Sequence, residues 1–375
     1  MRVELARDSL IHALQHVVKA VAGNSPMPIL QGIKIQAGAE GVTFTASSGS
    51  LTIRFTLPQD GASVTVARAG AIVIPSTYFY AVIRKLDDEK VTLELKEPLI
   101  LTISSGPFHM RLCGMDPAEF PDLGHAAERS SRTFRMDNAL LRSAVKQVAA
   151  AASASENRPV LTGVLWEYDR DSLSLIATDG IRLASRAVQM ENGPGSGFNV
   201  IIPAKNLQEI SRMLGDEDAA AEIEVGDSRV KFTAGRLEVE STLIRGTFPA
   251  VRSVIPENVL SEIFVDTVAL FKAVERVTIL AGGNTIRLAA AAERLRLSSR
   301  TAEVGDIEHE VPLLEMSGEA FALSLNGRLL LELLRGSDCG RTRIRYAGKN
   351  TPLVILPDDP LKSSLYLITS VRTPE

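Results

Sequence analysis

His12 and His16 stand four residues apart, a spacing that puts two imidazoles on one face of a helix and could seat a transition metal. No motif nearby supplies a third ligand at a suitable spacing, and such a pair more commonly forms a solvated or packed helix face. Asp179, in Ala177-Thr178-Asp179-Gly180, has the chemistry of a general base. Its neighbours make it a turn former instead. Gly193-Pro194-Gly195-Ser196-Gly197 has the glycines of a phosphate loop but not the Lys-Ser/Thr that would hold phosphate and magnesium, and no helix pattern follows it. Cys113 and Cys339 are the only cysteines and lie too far apart in sequence to suggest a bridge or a zinc site. No Ser/His/Asp arrangement is supported by spacing. The residues that could do chemistry therefore predict no catalytic centre, no metal and no cofactor; turnover of a small substrate would favour the enzyme reading.

One stretch holds a different possibility. In Leu175–Arg186, LIATDGIRLASR, two apolar stretches flank the polar turn Thr178 to Leu183. A plain hairpin connection is the common case for Asp-Gly. The other reading is a surface where something docks, and the elements around the turn have to decide between them.

Those elements recur three times. Leu10-Ile11-His12-Ala13-Leu14-Gln15-His16-Val17 follows the pattern L-x-x-A-[LV]-x-x-V, which returns at Leu141–Val148 and at Leu270–Val277, offsets of 131 and 129 residues. Apolar residues at i, i+3, i+4 and i+7 place one buried stripe on each helix. Asp8, Asp137 and Asp266 precede the three patterns and predict N-terminal caps with a favourable dipole contact. Pro28-Ile29-Leu30-Gln31-Gly32 returns as Pro159-Val160-Leu161-Thr162-Gly163, Ile74-Pro75 as Ile202-Pro203, and Phe120-Pro121 as Phe248-Pro249. The two Ile-Pro pairs open second helices, and in the third repeat the second helix begins near Asn326. Alternating segments such as Val42–Ala46 and Val91–Leu95 read as strands. The fold class is α+β: three repeats of two helices packed on antiparallel sheets, with domains at 1–124, 125–256 and 257–375.

At 375 residues the chain is long enough for these domains, and 45% apolar with 23% charged residues is ordinary for a globular protein. The first ten residues, MRVELARDSL, do not form a secretory signal, and no apolar run approaches the roughly 20 residues of a membrane helix. A cytoplasmic location without membrane contact is expected.

The net charge of −4 hides a segregation. The predicted helix bodies 9–21, 76–86, 138–148, 204–214, 267–277 and 326–335 hold eleven basic residues, Lys19, Arg84, Lys85, Arg142, Lys146, Lys205, Arg212, Lys272, Arg276, Arg328 and Arg335. Against these stand three acids, Glu209, Glu275 and Glu332, for a net +8 in the helices and −12 in the rest. Lys and Arg are good helix formers, but so is Glu, and it is scarce there. The pattern predicts helices that share a face turned toward a polyanion.

With Arg158–Gly163, Ala177–Gly180, Arg182-Leu183-Ala184, Phe248-Pro249, Val254-Ile255-Pro256 and Val371-Arg372 in hand, the chain resembles the bacterial sliding clamp, the beta subunit of the replicative DNA polymerase III, over its whole length. The resemblance implies a head-to-tail homodimer closed into a ring, helices inside, sliding on double-stranded DNA without reading sequence. The eleven helix cations would face the DNA. It implies no catalysis by the chain itself, but tethering of DNA polymerase and clamp-loader subunits through short linear peptides. The matching groove positions are Leu161, Thr178, Gly180, Ile181, Arg182, Leu183, Pro249, Val254, Asn326, Leu367, Ile368, Thr369 and Arg372. Within this groove Leu183, Pro249 and Ile368 would wall an apolar pocket, with Arg182 and Arg372 at its entrance. Met110, Ile279 and Leu280 would form the joint between two chains. Four positions depart from the family's habit: Ile181 replaces a usual His, Ser370 a Pro, Leu329 an aromatic, and Asn24 an Arg that contacts DNA. They leave open a specialised clamp paralogue serving repair or translesion polymerases. The remaining alternative is a structural repeat protein without DNA.

Overall fold

The three L-x-x-A-[LV]-x-x-V segments fold as helices, and each apolar position of the pattern is buried: Leu10, Ala13, Leu14 and Val17; Leu141, Ala144, Val145 and Val148; Leu270, Ala273, Val274 and Val277. The structure, a computed structural model, describes residues 1–121, 131–191, 193–215, 219–359 and 363–371. Its α-helices are α1 (Arg7–Val17), α2 (Ser76–Ile83), α3 (Asn138–Val148), α4 (Ala204–Met213), α5 (Thr267–Thr278) and α6 (Gly327–Gly336). None is long and apolar enough to cross a membrane.

Helix ends differ from expectation in places. Asp266 caps α5, its carboxylate accepting from the Ala269 N–H at 2.7 Å, and Asn326 caps α6 in the same way through the Leu329 N–H at 3.1 Å. Asp8 does not cap. Ala6 holds the cap position, and Asp8 lies inside the first turn of α1, where Arg7 donates to its carboxylate. Two helices are also shorter than expected. Lys19 falls in a 3₁₀ turn, Val18–Ala20, after α1, and Arg84 and Lys85 fall in a tightened turn where the Lys85 N–H donates to the Val82 carbonyl. Helical periodicity carries through such turns, so the sequence pattern alone overextends the helix.

By packing, the chain groups into two compact units. The first comprises residues 1–138 and 209–243. It holds a five-stranded sheet with Phe108–Cys113 at one edge and Val64–Arg68 at the other, and an eight-stranded sheet. The latter is made of Arg132–Asp137, Ala220–Val225, Arg229–Ala234, Leu237–Thr242, Leu51–Pro58, Gly41–Ser47, Gly32–Gly38 and Gly70–Pro75, in that order. Strands of the first and middle repeats meet in it, with Leu237 opposite Phe55 and Ser241 opposite Leu51.

The second unit comprises residues 139–208 and 244–375. Its nine-stranded sheet runs Phe198–Pro203, Gly163–Asp169, Ser172–Thr178, Arg182–Gln189, Ser364–Ile368, Leu353–Pro357, Arg341–Tyr346, Ser261–Asp266 and Glu315–Gly318. Here the middle and third repeats join through an antiparallel pair, Arg182 opposite Ile368 and Leu183 opposite Leu367. A four-stranded sheet with Gly305–Pro312 at one edge completes it. The middle repeat thus lends strands to both units. A sheet edge left unpaired is costly, and strand pairing between repeats removes it. At the second joint a buried apolar cluster of Leu161, Leu165, Ile176, Leu183, Ile201, Phe248, Val354 and Leu367 forms.

Candidate functional site

The Thr178–Leu183 turn is held by its own side chains. Thr178 Oγ1 donates to the Arg182 carbonyl at 2.6 Å and accepts from the Gly180 N–H at 3.1 Å. Asp179 Oδ1 accepts from the N–H groups of Ile181 and Arg182, both at 2.9 Å, and Oδ2 takes Nε of Arg182 at 3.1 Å. The Asp179 carboxylate is thus a turn former, bonded to the residues that follow it. Gly180 has φ +92°, a conformation other residues seldom adopt, while nothing stands within 4 Å of where a Cβ would be. Backbone conformation, not crowding, demands the glycine. The C-terminal segment closes against the turn through the Thr369 N–H, which donates to the Ile181 carbonyl at 2.9 Å.

Beside this turn lies a cavity of about 270 Å³, lined by Leu161, Thr178, Gly180, Ile181, Arg182, Leu183, Pro249, Val254, Leu367 and Thr369 among the residues expected from sequence. Apolar side chains dominate its walls. Ile181 and Val254 are half exposed at its rim, whereas Leu183 and Leu367 belong to the buried cluster below. A concave apolar surface with polar backbone edges suits an extended peptide that inserts Leu or Phe side chains.

Profiles of the DNA polymerase III beta subunit match the chain in three consecutive parts: the N-terminal domain over residues 1–124, the central domain over 135–250 and the C-terminal domain over 252–369. The beta sliding clamp of Bacillus subtilis (strain 168) is 32% identical over 381 residues, covering 100% of both chains, and that of Staphylococcus aureus (strain N315) is 31% identical with the same coverage. Among solved structures, the DNA polymerase sliding clamp from Bacillus subtilis superposes with a TM-score of 0.95 at 31% identity, and the DNA polymerase III beta subunit from Thermotoga maritima with 0.89 at 25%, each covering 100% of both chains. The chain belongs to the beta sliding clamp family.

Two expected groove positions, Ile368 and Asn326, stand apart from the cavity. Ile368 is fully buried and does not line it, because neighbours along a strand point to opposite sheet faces; Leu367 takes that place. Asn326 is spent on the cap of α6 and is not among the lining residues. Arg372 lies outside the described residues. Arg182 corrects the expectation of an arginine at the entrance. Its side chain is 6% exposed and turns inward, where Nη1 donates to Glu332 at 2.7 Å and Nη2 to the Ala150 carbonyl. A buried guanidinium requires such pairing. Sequence reading missed Arg158, Ala250, Val251 and Pro352 in the lining. The first lies in the motif Arg158–Gly163 and the next two directly follow Phe248-Pro249, so extending the motifs could have found them. Pro352 carries no such signal, since only the pairing of Leu353 with Ile368 brings it here.

Two of the departures from family habit, Ser370 and Leu329, have local partners. Ser370 Oγ donates to the Lys349 carbonyl at 2.9 Å, and the Leu329 carbonyl accepts from Arg182 Nη1 at 3.5 Å. Asn24 is exposed.

Of the eleven cations expected on helices, eight lie on them and Lys19, Arg84 and Lys85 in the turns that follow; ten of the eleven are exposed and Arg142 is partly buried. Arg212 pairs with Glu209 at 2.5 Å, and Arg328 with Glu332 at 3.5 Å. Met110 lies on the edge strand Phe108–Cys113, Ile279 at the C-cap of α5 is 76% exposed, and Leu280 is partly buried. His12 and His16 pack against Phe55, with ring centroids 5.3 and 5.1 Å away. Among the described residues no group of three His, Cys, Asp or Glu is placed to hold a metal.

Proposed function

We propose that two copies of this chain close head to tail into a ring around double-stranded DNA, with the helices of three repeated domains (1–124, 125–256, 257–375) toward the hole. The ring slides and tethers DNA polymerase, and it accepts clamp-loader subunits through peptides seated in the groove beside Thr178–Leu183. The chain contributes no catalysis of its own and needs no cofactor. The observation that carries this reading is the excess of exposed cations over acids on the repeated helices and the turns that end them, in a chain of net charge −4. Phosphate contacts by Lys and Arg attract duplex without reading bases, so a ring held by them is free to move along it. Retention is then topological. Tethering acts by effective concentration, since a polymerase bound to the ring rebinds its primer locally rather than from bulk.

The test is the shape of the DNA. Loaded chain stays on a closed circle and leaves the same DNA once it is cut, at a salt concentration that dissociates groove-free electrostatic binding. Equal retention on circle and linear duplex would overturn the ring. The exposed Ile181 at the rim favours the specialised paralogue as a second reading, because it makes the groove entrance more apolar than an imidazole would. A competition between peptides from replicative and translesion polymerases separates the two.

A further inference from the structure

Glu332 has two different arginines on its two oxygens. Oε2 accepts from Nη1 of Arg182 at 2.7 Å, and Oε1 lies 3.5 Å from Nε of Arg328, one turn earlier on α6. The arginines differ in environment: Arg182 is 6% exposed and Arg328 72%. One carboxylate therefore joins the inner wall of the groove to a cation on the open surface of the helix.

Arg182 is the member that matters to the groove. Its Nε holds Asp179, and Asp179 in turn holds the N–H groups of Ile181 and Arg182, so the guanidinium ties the turn to α6. Asp179 and Glu332 are the two carboxylates paired with this buried charge. Removing either would leave the guanidinium short of compensation and free the turn from the helix.

We propose that Glu332 is a positioning residue for the groove, and that an anion bound at Arg328 is felt at the groove through it. While Arg328 shares the carboxylate, Glu332 divides its charge between two cations. When Arg328 turns to a phosphate, Glu332 is left to Arg182 alone, the 2.7 Å bond strengthens, and the turn is held more firmly in the shape that seats a peptide. Polyanion contact thus raises peptide affinity, and by linkage a bound peptide raises affinity for the polyanion by the same factor. The Arg328 contact is solvent-exposed, so the coupling is modest, about twofold to fivefold. This rests on the proposed reading that the groove takes peptides and that α6 cations meet DNA.

The experiment titrates the full chain into a fluorescein-labelled peptide carrying apolar Leu and Phe residues, at low salt, with and without a short linear duplex at saturation. Wild type tightens about twofold to fivefold on adding duplex. Glu332→Gln, which removes the charge but nearly keeps the shape, binds peptide about tenfold more weakly and no longer responds to duplex. Arg328→Ala, an exposed substitution that does not threaten folding, also loses the response. The same response in Glu332→Gln as in wild type, or none in wild type while Leu183→Lys still abolishes peptide binding, overturns the coupling and leaves the groove standing. Peptide affinity indifferent to Leu183→Lys overturns the groove itself, and the coupling with it.

Discussion

Leu183 contributes to two things at once. It belongs to the buried cluster with Leu165, Ile176 and Leu367, and it lines the cavity beside the turn. A lysine at this position can bring its ammonium to water only through the cavity, since the remaining directions are packed with apolar side chains. Leu183→Lys therefore fills the groove with its own side chain. Peptide affinity falls at least a hundredfold, ~2.7 kcal/mol, while native mass spectrometry reports the same assembly as wild type. Full-affinity binding by a correctly assembled Leu183→Lys chain would move the docking site elsewhere. Arg182, by contrast, was legible as a groove residue but not as an inward strut. Its sequence neighbours say nothing of Glu332 or the Ala150 carbonyl, which reach it only through the fold.

At the scale of elements, the repeats explain why one joint has an apolar groove and the other does not. The first joint copies the turn of the second almost bond for bond. Gly49 has φ +89°, its N–H donates to Ser47 Oγ at 3.1 Å, and the Thr242 N–H donates to the Ser50 carbonyl at 2.9 Å, as Thr369 does to Ile181. The strand registers also correspond, Thr52 opposite Glu240 matching Leu183 opposite Leu367, and Lys34 opposite Thr45 matching Leu165 opposite Ile176. Only the side chains differ. Where the second unit presents Leu165, Ile176, Leu183, Leu367 and Val354, the first presents Lys34, Thr45, Thr52, Glu240 and Lys231. Glu240 is moreover paired with Arg229 at 2.5 Å. Such a face offers no apolar seat, so calorimetric titration gives one peptide bound per chain. Two equivalent sites would contradict the distinction drawn between these faces. The helices make the other prediction at this scale. Reversing the charge of exposed Lys146, Lys205 and Arg276 together weakens retention on circular DNA and flattens its salt dependence, because fewer counterions are released per binding event. Unchanged loading and salt slope would remove these helices from the DNA-facing surface.

For the whole molecule, the prediction concerns assembly. Ile279 is 76% exposed, with Val268 at 57% and Val304 at 70% exposed in the same repeat. Apolar surface left in water favours burial against a partner, and an edge strand such as Phe108–Cys113 with Met110 gains by pairing. Ile279→Asp combined with Leu280→Asp places unpaired carboxylates in that joint, and sedimentation then reports monomers where wild type gives dimers. A dimer of unchanged mass would exclude Ile279 and Leu280 from the joint. Neither Ile279 nor Leu280 lines the groove cavity, so peptide affinity per chain stays within about twofold of wild type, a change of under ~0.5 kcal/mol.

Sequence by itself determined what depends on local periodicity and near neighbours. The helical stripes of three repeats, the Thr-Asp-Gly turn and the Phe-Pro landmarks were all readable, because each is specified by residues within a few positions of one another. The charge segregation was readable as well, since it is a count. Tertiary structure alone decided what depends on register and pairing between distant strands. It put Leu367 rather than Ile368 against the groove, a choice set by the parity of one strand against another. It brought Pro352 to the rim, spent Asn326 on a helix cap and buried Arg182 against Glu332. It also joined strands of the middle repeat to strands of the first and of the third by antiparallel pairing, Leu237 opposite Phe55 and Leu183 opposite Leu367. A one-residue shift in any of those pairings would turn every side chain of the strand to the opposite face.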